Sequence, residues 1–403
     1  TGASIASLLT GLFPTVHGFD AGIKWESIRS STGETLPFQI QKTLPSYQVT
    51  LAETLRRHGY TTAAFVSSAE TSSIFGLGQG FDIYNEALHS PFNASRSSRR
   101  TGAETNRQVL RWLDTHPAEP FLLFVHYDDP RSPYHPPPGY SDQFTAGYHG
   151  ALTSEDTASI VESQGQAITN LPEADLDYIV GLYDGEIRYV DAQVGRLLTK
   201  LDQLVLDREL LVVLTSDHGE EFLEHGSTSH GYTLYDEQLL VPLVMHWPGR
   251  LPARRVEQQV QLIDVFPTIL DLSGIDAGKL PLQGSSLVTL IEGAESASEY
   301  AYAEAVRKGE QASVRSGSGR KLIRDEAKDT AQFFDLLSDP AERRPLEGAA
   351  EPAGPPPGER TDAAAVLNVP EFRVEPAEHQ DRGGRERLPW PHQVRHDERA
   401  KLR

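Results

Sequence analysis

Asp217, His218 and His230 carry the densest chemistry in this chain. A run of apolar residues from Leu210 to Leu214 stops at Asp217-His218-Gly219, and His225 and His230 follow within a dozen residues. An adjacent Asp and His offer a hard oxygen and an imidazole nitrogen to a divalent cation. On its own the triplet also reads as a turn, with Asp bonded to backbone amides and Gly supplying positive φ. Other candidates have structural readings of equal standing. His225 reads as a loop histidine, and His17 as a buried imidazole bonded to backbone. Glu220 and Glu221 read as the start of a helix, whose N-terminus favours negative charge. Asp128 and Asp129 read as a turn before Pro130.

The elements that must position these groups are legible from periodicity. The 210–214 run is short and aliphatic, which predicts a strand buried on both faces, and ligands in open α/β sheets collect past the carboxyl ends of such strands. Gly2 to Thr10 predicts a helix stopped by Gly11. Thr50 and Glu53 have capping-box spacing and open a helix that closes at Gly59. Thr61–Val66 and Phe121–Tyr127 read as further strands, the second also buried. Tyr134 to Leu171 reads as a long connection. Tyr183, Ile187, Val190, Val194, Leu197 and Leu201 form one apolar stripe on a long helix. Strand and helix alternation predicts an α/β fold with a mainly parallel, doubly wound sheet.

After Val288, short segments (Tyr300–Val306, Gln311–Arg315, Lys321–Arg324, Phe333–Leu336) predict a small antiparallel sheet. From about Leu346 the chain is rich in Pro, Gly, Arg and Glu and reads as disordered. The expected division is therefore a catalytic domain over 1–290, a small subdomain over 291–345 and a tail over 346–403.

Composition narrows the function. The 403 residues carry a net charge of −20 and no cysteine. A phosphate backbone needs a basic face, so a nucleic-acid partner is not expected. Disulfides, thiolate metal sites and cysteine nucleophiles are excluded. No stretch approaches twenty apolar residues, so no membrane span is expected. The chain opens at Thr1, without Met, inside a helical pattern, and reads as N-terminally incomplete.

Three segments together resemble the sulfatase family of the alkaline-phosphatase-like superfamily. TGASIASLLTGLFPTVHG (1–18) is similar to the nucleophile helix, and FLLFVHYDDPRSPYHPP (121–137) to a strand ending in D-P-H-x-P-Y. The third and longest comprises LYDGEIRYVDAQVGRLL (182–198) and TSDHGEEFLEHGSTSHGYTLYDEQLLVPLVMHWPG (215–249). Weaker similarity lies at 262–275, 282–287, 321–325 and 333–340, so the resemblance runs over residues 1–340.

The resemblance implies an alkaline-phosphatase-like fold and metal-dependent hydrolysis of a sulfuric ester or a related phosphate ester. It places Thr1 at the nucleophile position, where the family carries a Cys or Ser oxidised to formylglycine, and as a third metal contact. Threonine cannot undergo that oxidation, but an unmodified threonine serves in relatives that cleave phosphate esters. A hydroxyl at a helix N-terminus beside a cation has its alkoxide favoured. Asp217 and His218 correspond to metal ligands for Ca, Mg, Mn or Zn, and His230 to a contact with the ester oxygens, where an imidazole is a plausible general acid. Arg131 stands where the family has the His of D-P-H and would hold an anionic oxygen. His126, near the same rim, is the second substrate-binding candidate.

The sequence departs from the family pattern at Ala3 and Ile5, which replace its Pro and Arg. Val66-Ser67-Ser68-Ala69 replaces a charged segment. Two acidic ligands and a first strand are expected upstream of Thr1. Two alternatives follow: a phosphodiesterase or phosphoethanolamine-type transferase with Thr as nucleophile, or an inactive or truncated member. The implied substrate is a small-molecule, glycan or lipid ester, and family analogy implies an exported or periplasmic location.

Overall fold

The computed structural model describes residues 1–19, 42–86, 99–115, 120–161, 171–204, 210–294, 300–305 and 311–346, with backbone alone over 23–29 and 35–41. The tail expected from residue 346 lies outside the described residues beyond that position. Residues Thr1–Glu351 form one compact unit.

A parallel sheet is the frame of the site. Strand Thr61–Val66 runs at its centre, flanked in parallel by Ile83–Glu86 and Phe121–Val125. Successive side chains of a strand point to opposite faces, and here each face has its own cover. Ala63 and Phe65 pack with Val109, Trp112 and Leu113 of helix Gly102–Leu113 and with Leu197 and Leu201 of helix Glu173–Gln203. Ala64 packs on the other side with Ile5, Ala6 and Leu9 of helix Gly2–Thr10 and with Ala52 of helix Leu51–Arg57. The expected doubly wound arrangement is what the structure has.

Its punctuation also follows the sequence. Gly11 closes the first helix in the left-handed conformation at φ 68, and Thr50 with Glu53 forms a reciprocal capping box.

Three expectations need correction. Strand Val212–Thr215 is not buried on both faces: it pairs antiparallel with Leu243–His246, and the cross-strand neighbours Leu214 and Val244 are 37% and 54% exposed. Among the described residues these two strands pair only with each other, so both edges of the ribbon are open; Phe121–Val125, paired on one side alone, is likewise only half-buried. The long helix buries Glu186, Tyr189 and Gln193, with Ile187, Val190 and Val194 only half-buried. Polar side chains took the inward face because each has a partner there: Gln193 Oε1 accepts from Arg196 Nη1 at 3.2 Å and Asn106 Nδ2 at 3.5 Å, the Tyr189 hydroxyl accepts from the Ala103 amide at 2.8 Å, and Glu186 accepts two backbone amides. The Tyr134–Leu171 connection contains two short helices, Asp142–Thr145 and Thr157–Val161.

The C-terminal segments form a four-stranded antiparallel meander of Tyr300–Ala305, Gln311–Ser316, Arg320–Asp325 and Thr330–Asp335. Ile323, Phe334 and Leu336 pack from it against Leu234. No described helix is long and apolar enough to cross a membrane.

Candidate active site

Thr1 is the N-cap of the first helix, yet its side chain caps nothing. The hydroxyl is turned instead toward residues far along the chain. Thr1 Oγ1 lies 3.0 Å from His218 Nε2 and accepts a hydrogen bond from Arg131 Nη1 at 3.2 Å. The Thr1 backbone nitrogen is 3.8 Å from Asp217 Oδ2. A helix end and the residues just past strand Val212–Thr215 thus meet across more than 200 positions of sequence.

The His218 ring is held in one tautomer. Its Nδ1 faces the Gly219 carbonyl at 2.8 Å, and a carbonyl only accepts, so the proton sits on Nδ1 and Nε2 keeps its lone pair. Burial pushes the imidazole down to about 3, so the ring is neutral. The Asp217 carboxylate is also buried, but His218 and His126 outweigh that burial and hold it well below the usual range. Its backbone neighbourhood is equally tight. Gly219 donates to the Gln238 carbonyl at 2.8 Å, and a Cβ at Gly219 would overlap the Glu237 carbonyl oxygen, so only glycine fits this crossing.

His230 stacks on His218 with ring centroids 3.8 Å apart. Its Nδ1 faces Glu220 Oε1 at 3.1 Å. Glu220 and Glu221 do not begin a helix, contrary to expectation. Glu221–Phe222 pairs antiparallel with Thr228–Ser229, because the Glu221 carboxylate is taken up by the Ser227 amide, Thr233 and Gln238. That hairpin is what turns His230 back onto His218.

Arg131 sits in a cradle of acids. Nη2 donates to Glu70 Oε1 at 2.6 Å, and Asp128 Oδ1 is 4.0 Å from Nη1. Burial would raise Glu70, but the Arg131 guanidinium overrides it and brings the carboxyl down to about 2. Arg131 and His135 both donate their backbone amides to Glu186, at 2.8 and 2.6 Å. Asp129 accepts from the Gly102 amide at the start of helix Gly102–Leu113.

His126 lies close enough to Asp217 and Asp128 to feel their charge, but burial prevails and lowers its imidazole. Its backbone is pinned by the Phe65 carbonyl and the Ser67 hydroxyl, and its buried Nδ1 has no hydrogen-bond partner. His17 is structural as expected, with Nε2 3.0 Å from Ser7 Oγ and Nδ1 accepting from the Phe19 amide.

Thr1, Arg131, Asp217, His218 and His230 therefore converge, with His126 at the edge of the group. Sequence reasoning missed Glu70 and Glu186 as supports and Glu220 as the partner of His230. Only Glu220 had a signal, its position two residues after His218.

The donor set suits a divalent cation. Asp217 Oδ2 is buried, accepts no hydrogen bond and lies 3.4 Å from His218 Nε2. An ionised oxygen without a donor, beside a nitrogen whose lone pair is fixed, meets the requirement for a ligand pair.

The sulfatase family model matches residues 1–275, and the model for the C-terminal part of N-sulphoglucosamine sulphohydrolase matches 224–353. Mouse (Mus musculus) steryl-sulfatase is 31% identical over 241 residues, covering 49% of this chain and 38% of its own length. Mouse arylsulfatase K is 29% identical over 217 residues, covering 53% and 34%. The matched segments thus span between a third and two fifths of these relatives. Two solved structures share the fold at TM-score 0.67. One is a protein in complex with its substrate D-glucosamine-2-N,6-O-disulfate, 18% identical, covering 87% of this chain and 84% of that one. The other is the phosphonate monoester hydrolase of Agrobacterium radiobacter, 20% identical, covering 87% and 82%.

Proposed function

The chain belongs to the sulfatase family, and from that premise we propose that it serves a metal-dependent hydrolase of sulfuric esters or closely related phosphate esters. The observation that carries the reading is the convergence on the Thr1 hydroxyl of His218 Nε2 at 3.0 Å and Arg131 Nη1 at 3.2 Å. Such a hydroxyl at a helix N-terminus is the group to face a sulfur or phosphorus centre in line.

Asp217 and His218, with Thr1 Oγ1, would hold the cation. When bound, that ion supplies charge stabilisation to the ester oxygens and lowers the cost of deprotonating the hydroxyl. Arg131 offers a planar fork to the peripheral anionic oxygens. Its own charge is balanced by Glu70 and Asp128, and Glu186 fixes its backbone. His126 lines the same rim. His230, steadied at Nδ1 by Glu220, is the acid for the leaving oxygen. A glycan, lipid or other small ester is the substrate class; the disulfated glucosamine bound by one structural neighbour supports a sulfated sugar within it.

The test is hydrolysis of an aryl sulfate and an aryl phosphate by the protein at its full natural length, with Mg, Ca, Mn or Zn supplied in turn. Turnover of at least one ester that requires the added ion is expected. Turnover of neither under any ion removes the reading.

A second reading, phosphodiester cleavage or phosphoryl transfer, is favoured by Thr1 itself, since threonine cannot become formylglycine. Mass spectrometry of a trapped intermediate separates phosphoryl transfer from the sulfuric-ester branch of the first reading. Phosphate on Thr1 supports phosphoryl transfer, and sulfate the sulfuric-ester branch. Turnover of a phosphate diester against a monoester separates the second reading from the phosphate-ester branch.

A further inference from the structure

His225, Glu237 and Glu342 bring one nitrogen and two carboxylate oxygens within 4.8 Å of one another. They come from the turn after the Glu221–Phe222 strand, the first turn of helix Asp236–Leu239, and the stretch after the last C-terminal strand. His225 Nε2 is 3.5 Å from Glu237 Oε2, and neither atom makes a hydrogen bond although both are buried. The His225 side chain is 9% exposed. Its ring lies flat on Tyr235, with centroids 3.5 Å apart and planes 9° from parallel, which fixes the plane of the imidazole. Glu342 is held at φ 51, a left-handed conformation that a non-glycine residue adopts at some cost. One of its oxygens accepts from the Asp236 amide, while the other is met by the Lys321 ammonium at 2.7 Å.

Charge leads to the same place. Three carboxylates, Asp236, Glu237 and Glu342, face two cations. Lys321 is fully buried and lies 2.7 Å from both Asp236 and Glu342, and Arg315 is 3.6 Å from Asp236. One negative charge is left over, and a buried charge without a counterion is expensive. Buried polar atoms are nearly always satisfied, so inward-facing atoms without hydrogen bonds mark a missing partner. An imidazole with carboxylate oxygens is a donor set that favours zinc-class ions, whereas calcium and magnesium prefer oxygen ligands.

We propose that His225, Glu237 and Glu342 form a second cation site, for a divalent ion of the zinc class, separate from the Thr1 centre and independent of which ester is cleaved there. Water would complete its coordination. The ion would tie the C-terminal sheet to the hairpin and helix that follow Asp217.

Zinc uptake tests the site. The full chain is stripped by chelator and dialysed against Zn2+, and bound metal per chain is measured for wild type, Asp217→Asn, His225→Ala and Glu237→Gln. The expected result is one equivalent that Asp217→Asn retains. His225→Ala and Glu237→Gln should bind that equivalent at least about 100-fold more weakly, the upper end of what losing even a supporting partner of a ligand costs. Should His225→Ala fail to fold, Glu237→Gln, which preserves shape, decides the matter. Uptake unchanged in a folded Glu237→Gln overturns the proposal. So does a wild type whose only zinc is lost in Asp217→Asn.

Discussion

The rim around Thr1 and the C-terminal sheet use opposite means to hold polar and charged groups in place. In the sheet, each strand pairs with its neighbour in sequence, and apolar residues such as Ile323 and Phe334 fill the space behind it. At the rim, the partners of Thr1 come from positions 131 and 218, and four acids (Glu70, Asp128, Glu186 and Asp217) are fixed by Arg131, backbone amides or imidazole. The sheet is specified locally and stabilised by burial. The rim is specified by the whole fold, and its groups are kept ionised or neutral according to their neighbours. Stability and chemistry should therefore separate under mutation.

The largest effect is expected at Thr1. Thr1→Ala should lower ester hydrolysis by about 10⁴-fold or more, as loss of a nucleophile does elsewhere. Its melting temperature should hold, since the side chain caps nothing. A variant that keeps most of its rate breaks the contrast by showing that the rim acts without its hydroxyl. Next is Phe334→Ala, which empties a fully buried position. Denaturant unfolding should show a loss of about 3–5 kcal/mol, with the rate per folded molecule unchanged. A fall in that rate matching the loss of stability would mean that the two regions are not separable.

The subtlest readout, a slope rather than a loss, is at Glu186, where rim and stability overlap. Burial, with Asp129 nearby, raises its carboxyl from 4.5 to about 8, against the two amides that favour the ionised form. The folded state therefore holds this proton more tightly than the unfolded chain. The stabilisation is complete below about 4.5 and lost as pH rises through about 8. Glu186→Gln cannot titrate, so its stability should fall less steeply over that window, by at most one proton, ~1.4 kcal/mol per pH unit. Identical slopes in the two proteins would contradict the assignment.

The sequence was most readable where structure is local. The glycine stop at Gly11, the capping box at Thr50 and the C-terminal strands each depend on a few neighbouring residues, and each is where the pattern puts it. The convergence of Thr1 with His218 was available only through family resemblance, because no local rule links residues so far apart. Glu186 and Gln193 show why the remainder was hidden. Apolar spacing on the long helix pointed to Ile187, Val190 and Val194, but hydrogen-bond partners on other elements turned the neighbouring polar face inward. Glu220 and Glu221 likewise look like a helix start until the Ser227 amide, Thr233 and Gln238 draw Glu221 into a hairpin.

At Gly219 two stretches of main chain touch with no side chain between them. The contact has no slack, so segments 217–219 and 236–238 can travel only together, like two links of a chain riveted at one pin. Swapping in even an alanine would pry the strand end carrying Asp217 and His218 away from the helix turn carrying Glu237. The position is thus closed to diversification, and a designer wishing to retune this rim would have to leave it as the fixed pivot and vary the loops around it.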